Sequence, residues 1–342
     1  MKAMVLDGVR DLREESEPLR LADVEVPHPG EGEVLLKVHA CGVCHTELDE
    51  IEGRTAPPSY PVIPGHEIVG TVETRGEGVS SLEVGDRVGV GWIFSSCGSC
   101  EYCNSGNQNL CLEFKATGRD ADGGYAEYMT VPEISAHRVP DVFSDVEAAP
   151  LMCAGAIGYR SLRLTGIQNG QNLGLTGFGG SGHLVLKMVG YRYPDTDVYV
   201  FARNPSERQF AHELGAVWAG DTADTAPVGL HAIIDTTPAW KPVVEAMRNL
   251  RPGGRLVINA IRKESLDQDY LMRLDYAEHL WMEREIKSVA NVAHGDISGF
   301  LELAAEMGSK PETGEYALED ANRALLELKG GNVRGAKVLR MF

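Results

Sequence analysis

The stretch Gln171-Asn-Leu-Gly-Leu-Thr-Gly-Phe-Gly-Gly-Ser-Gly182 decides the fold of this chain. A short apolar strand runs into a glycine-rich turn, and the apolar run 183–189 that follows predicts a helix. Gly177 would make the tight turn, Gly179 would let the backbone approach a pyrophosphate, and Gly182 would let the helix pack on the strand. An ordinary glycine-rich turn is the alternative. The residues expected at a dinucleotide phosphate are Gly177, Gly179, Gly180, Ser181 and Gly182.

Beyond this turn the sequence alternates between strands and helices. Apolar runs predict strands at 197–201, 232–235, 255–260 and 286–290, and helical periodicity predicts helices among them at 205–214 and 243–250. The tail from about 292 has two further predicted helices, at 299–308 and 318–329. Pro252-Gly-Gly254 indicates a turn over 251–254. Alternation of this kind predicts an α/β fold built on a doubly wound parallel sheet of the Rossmann type.

The end of the strand at 197–201 indicates which dinucleotide is preferred. NAD enzymes commonly place an acid here to hold the ribose 2′-hydroxyl, whereas this chain has Ala202 followed by Arg203. A guanidinium pairs with a 2′-phosphate, which an acid would repel. The sequence therefore favours NADP, with NAD possible. The alternative for Arg203 is a solvated loop charge that stacks on the adenine of either cofactor.

The remaining sequence is rich in turns, and its composition excludes several classes of function. Apolar runs predict strands at 34–39, 67–73 and 85–91, and residues 144–165 have helical character. The chain has 342 residues, enough for two domains, and a net charge of −18, which argues against nucleic acid as a partner. It has neither a signal peptide nor an apolar run of the roughly 20 residues that span a bilayer. We therefore expect a cytoplasmic protein without a membrane partner.

Seven cysteines suit metal ligation better than disulfides. Cys97, Cys100, Cys103 and Cys111 have the spacing C-x2-C-x2-C-x7-C, which predicts a closed structural zinc site. Bacterial ferredoxin clusters have three residues before the last cysteine and a proline after it, which this chain lacks. The acidic charge weakens a nucleic-acid zinc ribbon. Cys41 is interpreted as a small buried residue.

A second, catalytic zinc site is predicted from Cys-Gly-Val-Cys-His-Thr-Glu-Leu (41–48) and Pro-Gly-His-Glu (64–67). Catalytic zinc takes three protein ligands and keeps one open position. Cys44 and His66 supply two ligands, and Cys153 in Leu-Met-Cys-Ala-Gly is the best candidate for the third. Taken alone, Cys153 would be interpreted as a buried helical thiol.

These motifs, together with Gly123-Gly-Tyr-Ala-Glu-Tyr128, resemble the zinc-dependent alcohol dehydrogenases of the medium-chain dehydrogenase/reductase superfamily over essentially the whole chain. The resemblance implies a mostly β, GroES-like catalytic domain over 1–153, with a structural zinc lobe at about 95–113. It further implies a Rossmann domain over 154–291 and a return to the catalytic domain over 292–342. Two zinc ions per chain, a small-molecule alcohol or aldehyde as substrate, and a homotetramer or homodimer are expected.

The resemblance also implies roles for individual residues. Thr46 would pass on the substrate proton, Glu47 would orient the zinc histidine, and Glu67 would approach the metal transiently. His45 would contact the pyrophosphate; the alternative is an exposed loop histidine. Trp92 would narrow the substrate pocket; the alternative is a core tryptophan. Relatives often finish the proton relay with a histidine where this chain has Asp49-Glu-Ile-Glu52, so Glu52 or bulk water would serve. A polyol dehydrogenase, a zinc-free-type enone reductase and a non-catalytic nucleotide sensor are the alternative functions.

Overall fold

The computed structural model describes residues 1–331 and 335–342, which form two compact units. The first unit comprises Met1–Cys153 and Val292–Phe342, and the second comprises Ala154–Asn291. A parallel sheet flanked by helices in the second unit confirms the predicted α/β fold, and the first unit is mostly β. No helix of the described residues is both long and apolar enough to cross a membrane.

The strands are numbered in chain order across both units. They are β1 (Lys2–Val5), β2 (Arg20–Asp23), β3 (Glu33–Val43), β4 (Ile68–Arg75), β5 (Arg87–Val90), β6 (Ile93–Ser95), β7 (Lys115–Ala116), β8 (Tyr128–Pro132), β9 (Ala136–Arg138), β10 (Asn172–Thr176), β11 (Asp197–Phe201), β12 (Trp218–Gly220), β13 (Leu230–Asp235), β14 (Leu250–Ile258), β15 (Glu285–Ser288), β16 (Thr313–Ala317) and β17 (Ala336–Arg340).

The α-helices among the described residues are mostly short. They are α1 (His45–Ile51), α2 (Glu101–Asn104), α3 (Asp145–Ala148), α4 (Ala154–Thr165), α5 (Gly180–Arg192), α6 (Pro205–Glu213), α7 (Lys241–Met247), α8 (His294–Met307) and α9 (Ala321–Lys329). The helical region predicted over 144–165 is interrupted, because a 3-10 turn at Ala149–Met152 separates α3 from α4 and leaves Cys153 between them.

The first unit is built on an open sheet that the C-terminal segment completes. Its strands lie in the order β16-β17-β3-β4-β5-β9, and β8 also pairs with β3. β17 runs antiparallel to β3, with Leu339 opposite Cys41, and so the last strand lies directly beside the strand that leads into Cys44. Buried side chains such as Leu36, Ile68 and Leu325 fill the core on this sheet.

The second unit is a six-stranded, entirely parallel sheet in the order β12-β11-β10-β13-β14-β15. Phe201 and Asp235 are both in register with Thr176, so the carboxyl ends of β10, β11 and β13 meet at one edge. From β10 the chain adds β11 and β12 on one side and then β13, β14 and β15 on the other side. The crevice at this point of reversal is the expected ligand site of a doubly wound fold.

The predicted turn over 251–254 is wrong, because these residues belong to β14. Leu250 pairs with Leu230, and the register then shifts so that Arg255 pairs with Ala232. Gly253 has φ of +71°, a conformation that glycine adopts without strain. The Pro-Gly-Gly signal therefore marks a bulge within a strand rather than a turn between elements.

Two buried histidines make the first unit sensitive to acid. His137 in β9 and His294 in α8 have ring centroids 5.7 Å apart, and His137 Nδ1 lies 2.9 Å from Oγ of Ser298. Burial, together with the neighbouring charge of His294, lowers the pKa of His137 to about 3. Burial also lowers the pKa of His294 to about 4. Both rings are therefore neutral in the folded chain at ordinary pH.

We expect the free energy of unfolding to fall by about 1.4 kcal/mol per pH unit for each of these histidines as the pH falls from about 6.5 towards 4. In this window the unfolded chain binds protons at both rings and the folded chain does not. Replacing His137 by glutamine should remove about half of the dependence that the pair causes, measured by urea unfolding near pH 7 and near pH 5. The exposed His28, changed to glutamine, is the control. An unchanged pH dependence in the His137 variant would contradict the prediction.

Candidate active site and metal centres

Cys44 and Glu47 are fixed at the start of α1 by the backbone of that helix. Cys44 is the N-cap residue, with extended φ and ψ of −116° and 163°. Its amide donates to Oε2 of Glu47 over 2.8 Å, which satisfies one of the free amides at the helix start. The same contact orients the Glu47 side chain, which is completely buried.

The other oxygen of Glu47 orients His66. Oε1 of Glu47 lies 2.5 Å from Nδ1 of His66, which is 1% exposed. This contact assigns the ring proton to Nδ1 and turns Nε2 away from the carboxylate. Nε2 is buried and has no hydrogen-bond partner among the described residues. A buried nitrogen without a partner is costly, and a metal ion at Nε2 would remove that cost.

The donor atoms of Cys44, His66, Glu67 and Cys153 all lie within 4.8 Å of one another. The sulfur atoms of Cys44 and Cys153 are 4.0 Å apart. This is too far for a disulfide, but close to the separation of about 3.8 Å between two thiolates that each lie 2.3 Å from a tetrahedral zinc ion. A hydrogen bond from Cys153 holds the pKa of the Cys44 thiol well below its usual value. The donor set fits zinc.

Glu67 reaches this group because Gly42 leaves room for it. A Cβ atom on Gly42 would lie 1.8 Å from Oε2 of Glu67. Gly65, which precedes His66, has φ of +100°, and a Cβ there would lie 2.4 Å from the ring of Tyr125. Burial, with the charge of Cys44, raises the pKa of the Glu67 carboxyl well above its usual value. A side chain larger than that of glycine would therefore clash at Gly42 in the motif 41–48 and at Gly65 in the motif 64–67.

The four cysteines of the lobe form a second group of donors, which also lie within 4.8 Å of one another. Sγ of Cys103 lies 3.9 Å from Sγ of Cys97 and 3.5 Å from Sγ of Cys100. Amides of Cys97 and Cys100 donate to the sulfur atoms of Cys111 and Cys97 over 3.4 Å each, as expected for thiolates. Four thiols and no open position fit a structural zinc ion.

Cys41 is not part of either group of donors. It is completely buried, its thiol donates to the carbonyl oxygen of Gly42 over 3.6 Å, and it lies near the positions of Gly65 and Gly124. Burial raises its pKa well above the usual value for a thiol, so it stays protonated.

Thr46 and His45 follow Cys44 on α1 but have opposite environments. The Thr46 hydroxyl is buried and lies 3.6 Å from Sγ of Cys44, which places it beside the metal ligands. His45 is exposed. The acids farther along this segment are held by cations: Asp49 by Arg54 over 2.5 Å, and Glu52 by Arg54 over 2.7 Å and by Lys329 over 2.6 Å.

Trp92 contacts two side chains through its ring. The ring centroid is 5.0 Å from that of Phe114, and Cζ of the Arg119 guanidinium lies over the Trp92 ring, 5.3 Å from its centroid. Asp120 fixes Arg119 through two hydrogen bonds. A Cβ on Gly91 would lie 3.0 Å from the carbonyl oxygen of Met152, so the chain before Trp92 passes beside the residue that precedes Cys153.

The glycine-rich turn of the second unit has the shape that a dinucleotide requires. Gly177 has φ of +77°, and a Cβ there would lie 2.9 Å from Oγ1 of Thr236. A Cβ on Gly182 would lie 2.9 Å from the carbonyl oxygen of Gly177. A Cβ on the exposed Gly179 would instead meet open space. Gly180 and Ser181 begin α5, whose first amides have no acceptor within the helix, and so the residues fit a pyrophosphate.

Ala202 and Arg203 follow β11 at the same edge of the sheet. Ala202 is 1% exposed and its amide donates to the carbonyl oxygen of Gly220 over 2.9 Å. Arg208 donates to the carbonyl oxygens of Ala202 and Arg203 over 2.8 Å and 3.2 Å, which fixes the backbone here. The Arg203 side chain is exposed.

Comparison with known proteins assigns the family. Residues 30–141 match the alcohol dehydrogenase GroES-like domain. The chain is 42% identical to the "probable alcohol dehydrogenase AdhA" of Mycobacterium tuberculosis over 327 residues, which cover 94% of this chain and 92% of that protein. The chain belongs to the zinc-dependent alcohol dehydrogenases. It is accordingly an NAD(P)-dependent enzyme of the medium-chain dehydrogenase/reductase superfamily.

Solved structures agree with this alcohol dehydrogenase along its whole length. A cinnamyl alcohol dehydrogenase from Sorghum bicolor has a TM-score of 0.81 and 27% identity, covering 99% of this chain and 98% of that one. The acetophenone reductase from Geotrichum candidum, solved in complex with NAD, has a TM-score of 0.82 and 26% identity, covering 100% and 97% of the two chains.

Three residues of the dehydrogenase that contact these sites or their supporting loops could not be identified from the sequence. Arg119 contacts Trp92, Arg54 pairs with Asp49, and Lys263 bonds to Asp235. A lone basic residue in a loop carries no spacing that identifies its partner. The only signal in the sequence is the acid nearby, as in Arg119-Asp120, and such pairs are common on any surface.

Replacing Glu47 by glutamine should weaken zinc binding of this dehydrogenase at Cys44, His66 and Cys153 by about 10- to 100-fold. The amide keeps the size of the side chain but loses the charge that orients His66. Competition with a metal chelator measures the affinity, and the zinc expected at the four-cysteine lobe of the same chain would serve as the internal control. Equal release of both ions by wild type and variant would contradict the expected effect.

Proposed function

We propose that this dehydrogenase interconverts primary alcohols and aldehydes, using one catalytic zinc and preferring NADP. The observation that supports this best is the arrangement around His66: its buried, unpartnered Nε2 lies among the sulfur atoms of Cys44 and Cys153. Zinc held by these residues would supply a Lewis acid that polarises an aldehyde and lowers the pKa of an alcohol. A second zinc in the four-cysteine lobe would be structural.

Residues of the chain account for the other requirements of the reaction. The Thr46 hydroxyl, 3.6 Å from Sγ of Cys44, would hold the proton that the alcohol loses. Glu47 would keep His66 in the tautomer that binds metal, and Glu67 would be a fourth donor when no substrate is bound. The exposed His45 would contact the cofactor pyrophosphate. Net reaction is alcohol and NADP⁺ to aldehyde, NADPH and a proton.

The surroundings of Trp92 support a flat or unbranched substrate. Phe114 and Arg119 lie against its ring, so it has little freedom to turn and make room for a branched carbon. The related Sorghum bicolor protein is named for an aromatic alcohol, which agrees with a pocket of this kind. Both a short aliphatic and an aromatic aldehyde are therefore proposed substrates.

Steady-state reduction of one short and one aromatic aldehyde, with NADPH and NADH side by side, tests the proposal. We expect turnover of both aldehydes with the higher kcat/KM for NADPH. Turnover that survives removal of zinc from protein shown to stay folded would contradict the catalytic role of the metal. No turnover in protein shown to hold two zinc ions would favour a sensor instead.

A homodimer or homotetramer is part of the proposal, supported by the edge of the second unit. All four residues of β15 are exposed, and among the described residues this strand pairs only with β14. Ile286 is 40% exposed, Trp281 56% and Met272 88%. An apolar surface around an unpaired strand edge is a hazard unless another chain covers it. Cysteines that group as metal donors rather than as disulfide partners support a cytoplasmic location.

Replacing Ile286 by lysine should shift the protein towards monomers in analytical ultracentrifugation, because the charge would be buried without a partner when the edges meet. Leu112, which is 97% exposed on the four-cysteine lobe, changed to lysine is the control for loss of an exposed apolar side chain. Identical sedimentation of wild type and both variants would contradict an interface at β15.

A further inference from the structure

A buried ion pair lies at the carboxyl edge of the parallel sheet, outside every motif discussed above. Asp235 is the last residue of β13 and is completely buried. The side chain of Lys263, which lies in the segment after β14, is 9% exposed. The Lys263 ammonium bonds directly to Oδ2 of Asp235.

The Lys263 ammonium has three hydrogens and three acceptors. Besides Asp235, these are the carbonyl oxygens of Thr237 at 2.7 Å and Ala239 at 3.0 Å. Both carbonyls belong to the loop that follows β13. One side chain therefore joins the loop after β14 to the loop after β13 and satisfies two of its backbone oxygens.

The second oxygen of Asp235 connects this pair to the glycine-rich turn. Oδ1 accepts hydrogen bonds from the hydroxyl of Thr176 over 2.5 Å and from the hydroxyl of Thr237 over 2.8 Å. Thr176 immediately precedes Gly177, and a Cβ on Gly177 would lie 2.9 Å from Cγ2 of Thr237. The turn that fits a pyrophosphate therefore packs on the loop that Lys263 and Asp235 hold.

Stability alone does not require this pair. Two charges lose their hydration on burial, and apolar side chains of similar volume often replace such a pair without cost or with a gain. What an apolar pair would not provide is the set of directed bonds that fixes residues 236–239 relative to the segment that carries Lys263. The pair specifies a position of the two loops rather than adding to the core.

The sheet order indicates which part of a ligand those loops would meet. A dinucleotide binds across the reversal point of a doubly wound sheet, with one half on each side. Ala202 and Arg203 follow β11, on the side that takes the adenosine half. The loops after β13 and β14 lie on the opposite side of β10.

We propose that Lys263 is a positioning residue for the nicotinamide half of the cofactor, acting through the loops that follow β13 and β14. This inference rests on the proposed NADP-dependent function. It predicts that removing the ammonium weakens binding of the whole dinucleotide and leaves binding of its adenosine half unchanged.

The variant Lys263→Met tests this in the full-length protein by equilibrium binding. The dissociation constant of NADPH, from its fluorescence, should rise about tenfold or more, because the loops are no longer preorganised. The dissociation constant of adenosine 2′,5′-bisphosphate, from calorimetry, should change by less than about twofold. Lys263→Arg keeps a cation and is the second variant: it should fold and give an intermediate rise for NADPH.

Asn249→Ala is the matched control. Asn249 is also buried, accepts from the amide of Ala226 over 2.8 Å and donates to the carbonyl oxygen of Glu245 over 3.3 Å. It lies just before β14, at the amino end of the sheet. It should lower the melting temperature to a similar degree without changing the dissociation constant of NADPH.

The outcomes separate the two proposals. Three results would each overturn the role of Lys263. The first is an unchanged dissociation constant of NADPH in Lys263→Met, and the second is an equal loss of affinity for NADPH and for the bisphosphate. The third is an equal loss of NADPH affinity in Asn249→Ala. Wild-type protein that binds NADH more tightly is tested with NADH and adenosine 5′-monophosphate in the same way. Wild-type protein that binds neither dinucleotide would overturn the proposed function, and this inference with it.

Discussion

Replacing His66 by asparagine should lower kcat/KM for aldehyde reduction by about 10³-fold, since a Lewis acid supplies several kcal/mol of transition-state stabilisation and each 1.4 kcal/mol is tenfold in rate. The physical reason is the geometry of Glu47, His66 and the two sulfur atoms. His66 Nε2 is the one imidazole nitrogen of the ring that is free to bind metal, because Nδ1 lies 2.5 Å from Glu47. Zinc content by mass spectrometry should fall from about two ions per chain to about one.

Cys41→Ser is the matched control for this experiment. Cys41 is as deeply buried as the ligands and lies on the strand that leads into Cys44, yet it belongs to neither group of donors among the described residues. The serine variant should keep both ions and most of the activity. Equal zinc loss in both variants would show that the region tolerates no change, rather than that His66 is a ligand.

His66→Asn leaves the Glu47 carboxylate buried without its partner, which destabilises the fold. Cys44→Ser serves as the second variant, because Cys44 is the N-cap of α1 and its backbone amide, which donates to Glu47, is unchanged. It should lose the same ion and the same activity. Full activity in a folded Cys44→Ser variant with a single zinc would contradict the catalytic site.

Most of the parallel sheet could be predicted because five of its six strands are specified locally; the short β12 was not predicted. A strand that ends in a glycine-rich turn and a helix that begins there are recognisable within twelve residues, and the parallel arrangement follows from repeating that unit. The bulge in β14 could not be predicted. Pro252 and Gly253 have the composition of a turn, and only the pairing of Arg255 with Ala232 shows that the strand continues.

The metal donors could be proposed from sequence because thiols and imidazoles in close spacing have few other uses. Three of the donors, however, come from α1, the segment before β4 and the break between α3 and α4, and their proximity depends on the sheet of the first unit. Arg119 and Lys263 could not be found in this way. Their partners are fixed by loop conformations that no periodicity encodes.

Replacing both residues after β11 should reverse the cofactor preference from NADPH to NADH. In Ala202→Asp/Arg203→Ala the acid would repel a 2′-phosphate and could accept a hydrogen bond from the 2′-hydroxyl of NAD, while the cation that pairs with the phosphate is lost. A charge-assisted hydrogen bond contributes about 1.5–3 kcal/mol, so each substitution should lower kcat/KM for NADPH by about 10- to 100-fold. Steady-state kinetics with NADPH and NADH on the same aldehyde measures the change.

The control for this exchange is Arg192→Ala. Arg192 is an exposed cation on the same unit, at the last turn of α5, and that helix of 13 residues separates it by about 20 Å from the glycine-rich turn. Its loss changes the net charge of the protein as much as Arg203→Ala does. A fall in NADPH use in both variants would mean that general attraction, rather than a contact at the strand end, sets the preference. The single variant Arg203→Ala should lower kcat/KM for NADPH and leave kcat/KM for NADH unchanged. Such a result requires a group on NADPH that NADH lacks, and the 2′-phosphate is the only such group.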